Sequence, residues 1–216
     1  PPQPSMAFSN PAAITINPSG AATPYPSSIT VSGLGTVTNS VSVTINNFSH
    51  TFASVVGIVL VSPTGAALAI QDGAGDLGSM ANVTYTISDS GSADLPQNGA
   101  WGPGTYTPAN YFNDNWPPPG PGTVYNNPGP IGGGTATFAS TFTGLNPNGT
   151  WNLFLFDFVS GDGGSIAGGW TLNVTTTAAS AGLSISEFRL RGPSGANDEF
   201  IEIYNGSGAD HTVAAS

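Results

Sequence analysis

His50 and His211 are the only imidazoles that this chain of 216 residues can bring to acid–base or metal chemistry. A hydrolytic triad needs a nucleophile, a base and an orienting acid held together. No Gly-x-Ser-x-Gly elbow occurs; Gly192-Pro193-Ser194-Gly195 has the wrong spacing and reads as a hairpin turn. His211 reads as a solvated loop residue, so a catalytic triad is not expected. The acids form two suggestive pairs. Asp72 and Asp76 lie in Gln71-Asp72-Gly73-Ala74-Gly75-Asp76, and Asp157 and Asp162 bracket Phe158-Val159-Ser160-Gly161. Glycine between acids lets a loop wrap an ion, which suits calcium better than the opposed carboxylates of glycoside hydrolysis. Calcium takes six to eight oxygens, and backbone carbonyls with Asp89 or Asp94 are candidates to complete a set. The competing reading is exposed turn acids, even with the first for Asp157 and Asp162 and ahead of it for Asp72 and Asp76. Trp101, Trp116 and Tyr111 are candidates for stacking on a sugar ring, whereas Trp151 and Trp170 fall in strand patterns and read as core.

The elements that must position these residues are strands. Val41, Val43 and Ile45 alternate with Ser42, Thr44 and Asn46, which predicts a strand with one buried face. Val83, Tyr85 and Ile87 alternate in the same way, as do Trp170, Leu172 and Val174. Val55 to Val61 is nearly all apolar and ends at Ser62-Pro63-Thr64-Gly65, as a central strand covered on both faces would. The run from Trp151 to Phe158 is the most aromatic strand and the expected centre of the core. No segment keeps a 3.6-residue period, so helices should be few and short. Residues 88–134 are crowded with Gly, Pro, Asn and aromatics. They predict an ordered loop laid on the sandwich, in the first instance as a cap on the core edge.

Composition narrows the class. Charged residues make up 6% of the chain, where about a quarter is usual, and lysine is absent. Hydrophobic residues make up 38%, enough to fold, while 30 Gly and 19 Pro demand many turns. The net charge of −10, with Arg189 and Arg191 as the only cationic side chains besides histidine, excludes a nucleic-acid partner, which needs clustered Lys or Arg. No apolar stretch reaches bilayer length, so membrane insertion is not expected. Without cysteine, disulfides and thiolate metal sites are excluded. Residues 178–182 read as a small-residue linker between residues 1–177 and 183–216, because both arginines and all three glutamates follow it.

Two sets of residues carry family resemblances. The first combines His50, Val59-Leu60-Val61-Ser62-Pro63-Thr64-Gly65 and Gly104-Thr105-Tyr106-Thr107-Pro108 with Asn148-Gly149-Thr150-Trp151-Asn152-Leu153. It closes with Asp157, Gly161-Asp162-Gly163-Gly164 and Gly169-Trp170-Thr171-Leu172. Over about residues 8–175 this resembles the P domain of proprotein convertases, apart from a long Pro/Gly insertion around 113–134. The resemblance implies an antiparallel jelly-roll-like β-sandwich of the kind that follows subtilisin-like catalytic domains and occurs in bacterial secreted proteins. It further implies a structural role for His50 and, in some members, bound calcium. The second set, Leu183-Ser184-Ile185-Ser186-Glu187-Phe188 and Asn197 to Asn205, resembles the opening strands of a lamin-tail domain. Some 35 residues cannot bury an immunoglobulin-like core, which takes about 100. This segment was therefore cut, is ordered only this far, or donates its strands elsewhere.

The expectation is an all-β, non-enzymatic, extracellular or cell-surface structural or adhesion subunit. Unprotected strand edges favour self-association, or contact with other surface proteins, by β-strand addition into an array or filament. Ile185, Phe188, Phe200, Ile201, Ile203 and Tyr204 are the candidate assembly residues. An accessory domain of a secreted subtilisin-like protease and a carbohydrate-binding module with a glycan partner are the alternatives.

Overall fold

The computed structural model describes residues 5–177, 183–189 and 200–205. The chain divides into two compact units, Pro2–Thr177 and Ala178–Ser216. The expected linker at 178–182, the Gly192–Gly195 turn and His211 lie outside the described residues.

In the first unit the strands are β1 (Met6–Asn10), β2 (Ile14–Ile16), β3 (Gly20–Ala21), β4 (Ser27–Val31), β5 (Thr38–His50), β6 (Val56–Val61), β7 (Ala67–Asp72) and β8 (Met80–Ser88). After β9 (Thr105–Tyr106) and β10 (Ala109–Asn110) comes one short helix, α1 (Phe138–Phe142). Three strands follow: β11 (Gly149–Asp157), β12 (Gly164–Ile166) and β13 (Trp170–Thr176). The first sheet runs β1-β13-β5-β12-β2, with β8 on the other side of β5 and β9 beyond it; the second runs β10-β7-β6-β11-β3, with β4 also beside β11. The result is an all-β sandwich. It departs from strictly antiparallel pairing at two short edge strands, since β9 joins β8 and β10 joins β7 in parallel.

The core between the sheets is filled by the residues that alternation points inward, among them Val43, Ile45, Leu60, Tyr85, Trp151, Leu155 and Trp170. Two inter-sheet hydrogen bonds cross it. Tyr85 Oη donates to Gln71 Oε1 at 2.6 Å, and Trp170 Nε1 donates to Ser27 Oγ at 3.0 Å. On the outer face of the first sheet, Ser9, Thr171, Thr44, Thr86 and Thr105 stand in register across five strands.

Two bulges override simple alternation. In β5 the pairing to β8 shifts between Ile45 and Phe48, with Asn47 in the left-handed region at φ 58°. The extra residue changes the inward parity from odd to even, so Phe48 and His50 are buried where a plain alternation would bury Asn47 and Ser49. In β7 the register to β6 shifts between Ile58 and Val59. Ile70 and Gln71 then both face the inter-sheet core, and Asp72 is turned to the outer face.

The second sheet is buried on both sides. A smaller cluster on its outer face joins Val59, Ala67, Ala69, Phe154 and Trp116, with Tyr25, Tyr125, Phe156 and Phe158 packed against it. The cover comes from the long loop, which thus lies over a whole sheet face rather than capping an edge. Trp116 meets Tyr125 and Phe158 edge-on, at ring separations of 4.8 and 5.7 Å. Mutual backbone bonds between Trp116 and Gly122 close the proline-rich tip, and Asn126 N–H donates to Ala67 O, joining the loop to the edge of β7.

The described part of the second unit is a two-stranded antiparallel sheet of β14 (Leu183–Arg189) and β15 (Phe200–Asn205).

Candidate functional site

The end of β5 and the end of β11 bring His50 and Asp157 together between the sheets. His50 Nε2 lies 3.3 Å from Asp157 Oδ2, and both side chains are fully buried. The contact is too poorly aligned to form a good hydrogen bond, so it is chiefly ionic or dipolar. His50 Nδ1 lies 3.1 Å from the Phe52 backbone nitrogen and 2.9 Å from the Phe52 carbonyl oxygen, so the backbone of that residue holds the ring with Nε2 facing the carboxyl. Burial pushes Asp157 above the usual carboxylate range, and the Val159 N–H and the imidazole partly offset that push. Asp162, half-exposed, accepts from the Thr51 hydroxyl at 2.7 Å and acts on Asp157 through its charge. Asp157 and Asp162 are thus electrostatic neighbours, with His50 facing Asp157 Oδ2 from the other sheet. Buried in this way, the imidazole offers no face to a substrate.

Asp72 and Asp76 do not share a loop site. Asp72 is fully buried under the long loop, whereas Asp76 is exposed on the turn after β7. The reason is the β7 bulge, which turns Asp72 away from the glycine turn and under Trp116. Among the described residues no group of three or more His, Asp or Glu gathers as a metal site. Asp89 and Asp94 are otherwise engaged: Asp89 accepts from the N–H groups of Phe138 and Ala139, capping α1, and Asp94 accepts from the Thr107 hydroxyl.

Asp72 has a different partner, one that the sequence did not single out. The Asp114 N–H donates to Asp72 Oδ2 at 3.1 Å, and the two carboxyls are hydrogen-bonding neighbours. Burial, opposed by that N–H and reinforced by the Asp114 charge, pushes Asp72 up to about 7. Asp114 is also raised by burial. Asn110, in register with Asp72, accepts from the N–H groups of Phe112 and Asn113 and so shapes the turn that delivers Asp114. Tyr125 donates to Asp114 O at 2.8 Å, and burial raises its phenol to about 12. The available signal was that β6 and β11 are apolar on both faces. Such strands require a second cover, and 88–134 is the segment long enough to supply it.

The sugar-stacking expectation is corrected. Trp101 and Trp116 are buried, at 6% and 0% exposure, and Tyr111 is half-buried with its hydroxyl bonded to Leu95 O. The sandwich and its loop need these rings as interior.

The hairpin presents the opposite case. Ile185, Phe188, Phe200, Ile201, Ile203 and Tyr204 are all exposed, from 40% at Phe200 to 65% at Ile201. Ile185 pairs with Ile203 and Phe188 with Ile201, so the apolar residues meet across the two strands.

No family model matches the chain, and no curated protein matches it. Among solved structures it is similar to the complex of the Aeromonas sobria serine protease with the chaperone ORF2, at 13% identity and a TM-score of 0.37. That match covers 83% of this chain and 27% of the other. It is also similar to the A. sobria serine protease alone, at 14% identity and a TM-score of 0.35, with 82% and 27% covered. The chain thus spans about a quarter of the length of the chains it matches. Among the described residues no helix is long and apolar enough to cross a membrane.

Proposed function

We propose that this chain is a non-enzymatic, extracellular structural or adhesion module whose hairpin is an assembly element. The observation that carries this reading is the β14–β15 sheet. Among the described residues it has two strands, each of them an edge there, and it exposes large apolar side chains at Ile185, Phe188, Ile201 and Ile203. A lone two-stranded sheet is marginal in water, and apolar edges recruit further strands. The absence of lysine leaves these edges without the residue that most often blunts them. Sedimentation velocity from low to high micromolar concentration tests the proposal. Concentration-dependent association that Ile201→Thr and Ile203→Thr abolish supports it; a monomer at every concentration defeats it.

The P-domain resemblance supports a second reading, an accessory module beside a subtilisin-like catalytic domain. Of the residues that carry it, 59–61 fall in β6, 149–153 and Asp157 in β11 and 170–172 in β13, and the others lie in β5, β9, β12 and turns. A catalytic domain encoded on either side of this chain would favour this reading over assembly. Calcium enters as a proposal at the Asp157–Asp162 loop, where the two acids are electrostatic neighbours. A rise in Tm with calcium that Asp162→Asn abolishes supports it, and identical melting in calcium and in chelator removes it.

A further inference from the structure

The loop that covers the second sheet is tied to it at one buried acid. Asp72 has no exposed surface and receives the Asp114 N–H, and the Asp114 carboxyl lies within hydrogen-bonding reach of its own. Two ionised carboxylates so placed repel one another, and burial strengthens the repulsion. Among the described residues no third His, Asp or Glu joins the pair. Asp72 Oδ1 has no hydrogen-bond donor, and a methyl group added at Gly57 would stand 3.4 Å from it and 2.6 Å from the Phe158 ring. The nearby buried groups without partners, Asn110 Nδ2 and Trp116 Nε1, are donors. A single proton resolves the conflict, because a neutral carboxyl can donate to an ionised one.

We propose that Asp72 and Asp114 share one proton and thereby latch residues 111–126 onto the outer face of the second sheet, and that loss of this proton releases the segment. The ionisable side chains acting on the pair are each other and Tyr125, all of them on β7 or the loop; β6 contributes Gly57, and the residue following β11 contributes the Phe158 ring. Release uncovers Val59, Ala69 and Phe154, so the latch governs whether an apolar sheet face is covered.

Hydrogen–deuterium exchange on the whole chain at about pH 5 and about pH 8.5, corrected for intrinsic rates, tests the latch. Protection in 111–126 is expected to fall about tenfold or more at the higher pH, while amides of β5 and β13 keep theirs. Asp72→Asn and, independently, the half-exposed Asp114→Asn should flatten the dependence. If the first variant does not fold, the second gives the decision. Unchanged protection, an equal fall throughout the sandwich, or a variant that keeps the wild-type profile overturns the proposal. So does recovery of protection at the higher pH on adding calcium, which would make the pair a cation site.

Discussion

The His50 imidazole and the Asp157 carboxyl face each other across the two sheets at 3.3 Å, and neither reaches solvent. Removing one partner leaves the other buried without its complement, which costs about 3–5 kcal/mol. His50→Ala and Asp157→Ala should each lower stability in urea by an amount in that range. The double variant should cost less than the sum by on the order of 1–3 kcal/mol. Additive losses would show that the two groups do not interact.

All four tryptophans are buried, at 6% exposure or less. Emission should therefore be blue-shifted and resist acrylamide quenching, and added oligosaccharide should leave it unchanged. A red-shifted, readily quenched component would mean that Trp101 or Trp116 is available to a sugar.

Gly57 lies where β6 passes beneath the loop. A side chain there meets Phe158 at 2.6 Å and Trp116 at 2.9 Å. Gly57→Ala is expected to destabilise by about 1–3 kcal/mol through overpacking. A neutral effect in thermal unfolding would show that the loop yields easily.

Asp72 titrates at about 7 against an ordinary value of 3.8. A raised carboxyl pKa means that the folded state binds the proton more tightly. The associated stability is fully present below about pH 4 and is lost as pH rises through about 7. Wild-type Tm should accordingly fall between about pH 5 and about pH 8.5, by the equivalent of a few kcal/mol at most, and Asp72→Asn should fall less. Parallel profiles for the two proteins would contradict this.

Much of the sandwich is legible in the sequence because burial leaves period two in β5, β8 and β13 and an apolar run in β6. His50 was readable as structural only through the P-domain resemblance, since plain alternation along β5 points it to solvent until the bulge at Asn46–Asn47 is known. Asp72 reads from its glycine neighbours first as an exposed turn acid and second as a calcium ligand. Its burial depends on a register shift that no local pattern shows. Trp116 sits among prolines with no periodicity, so its place in a second core follows only from asking what covers the far side of β6 and β11. Asp114 is invisible for the same reason. The hairpin residues stand out by composition and exposure alike, and their role belongs to the proposal above.

The outer cluster under the long loop has a consequence for how such a sequence can drift. Loops are ordinarily where substitutions and length changes accumulate. Here Trp116 is interior and Tyr125 half-buried against it, while the Ser and Thr hydroxyls of the first sheet's outer face stand against water. Over generations Trp116 and Tyr125 should change as slowly as the strands. The hydroxyl-bearing positions of the sheet should exchange freely among small polar residues.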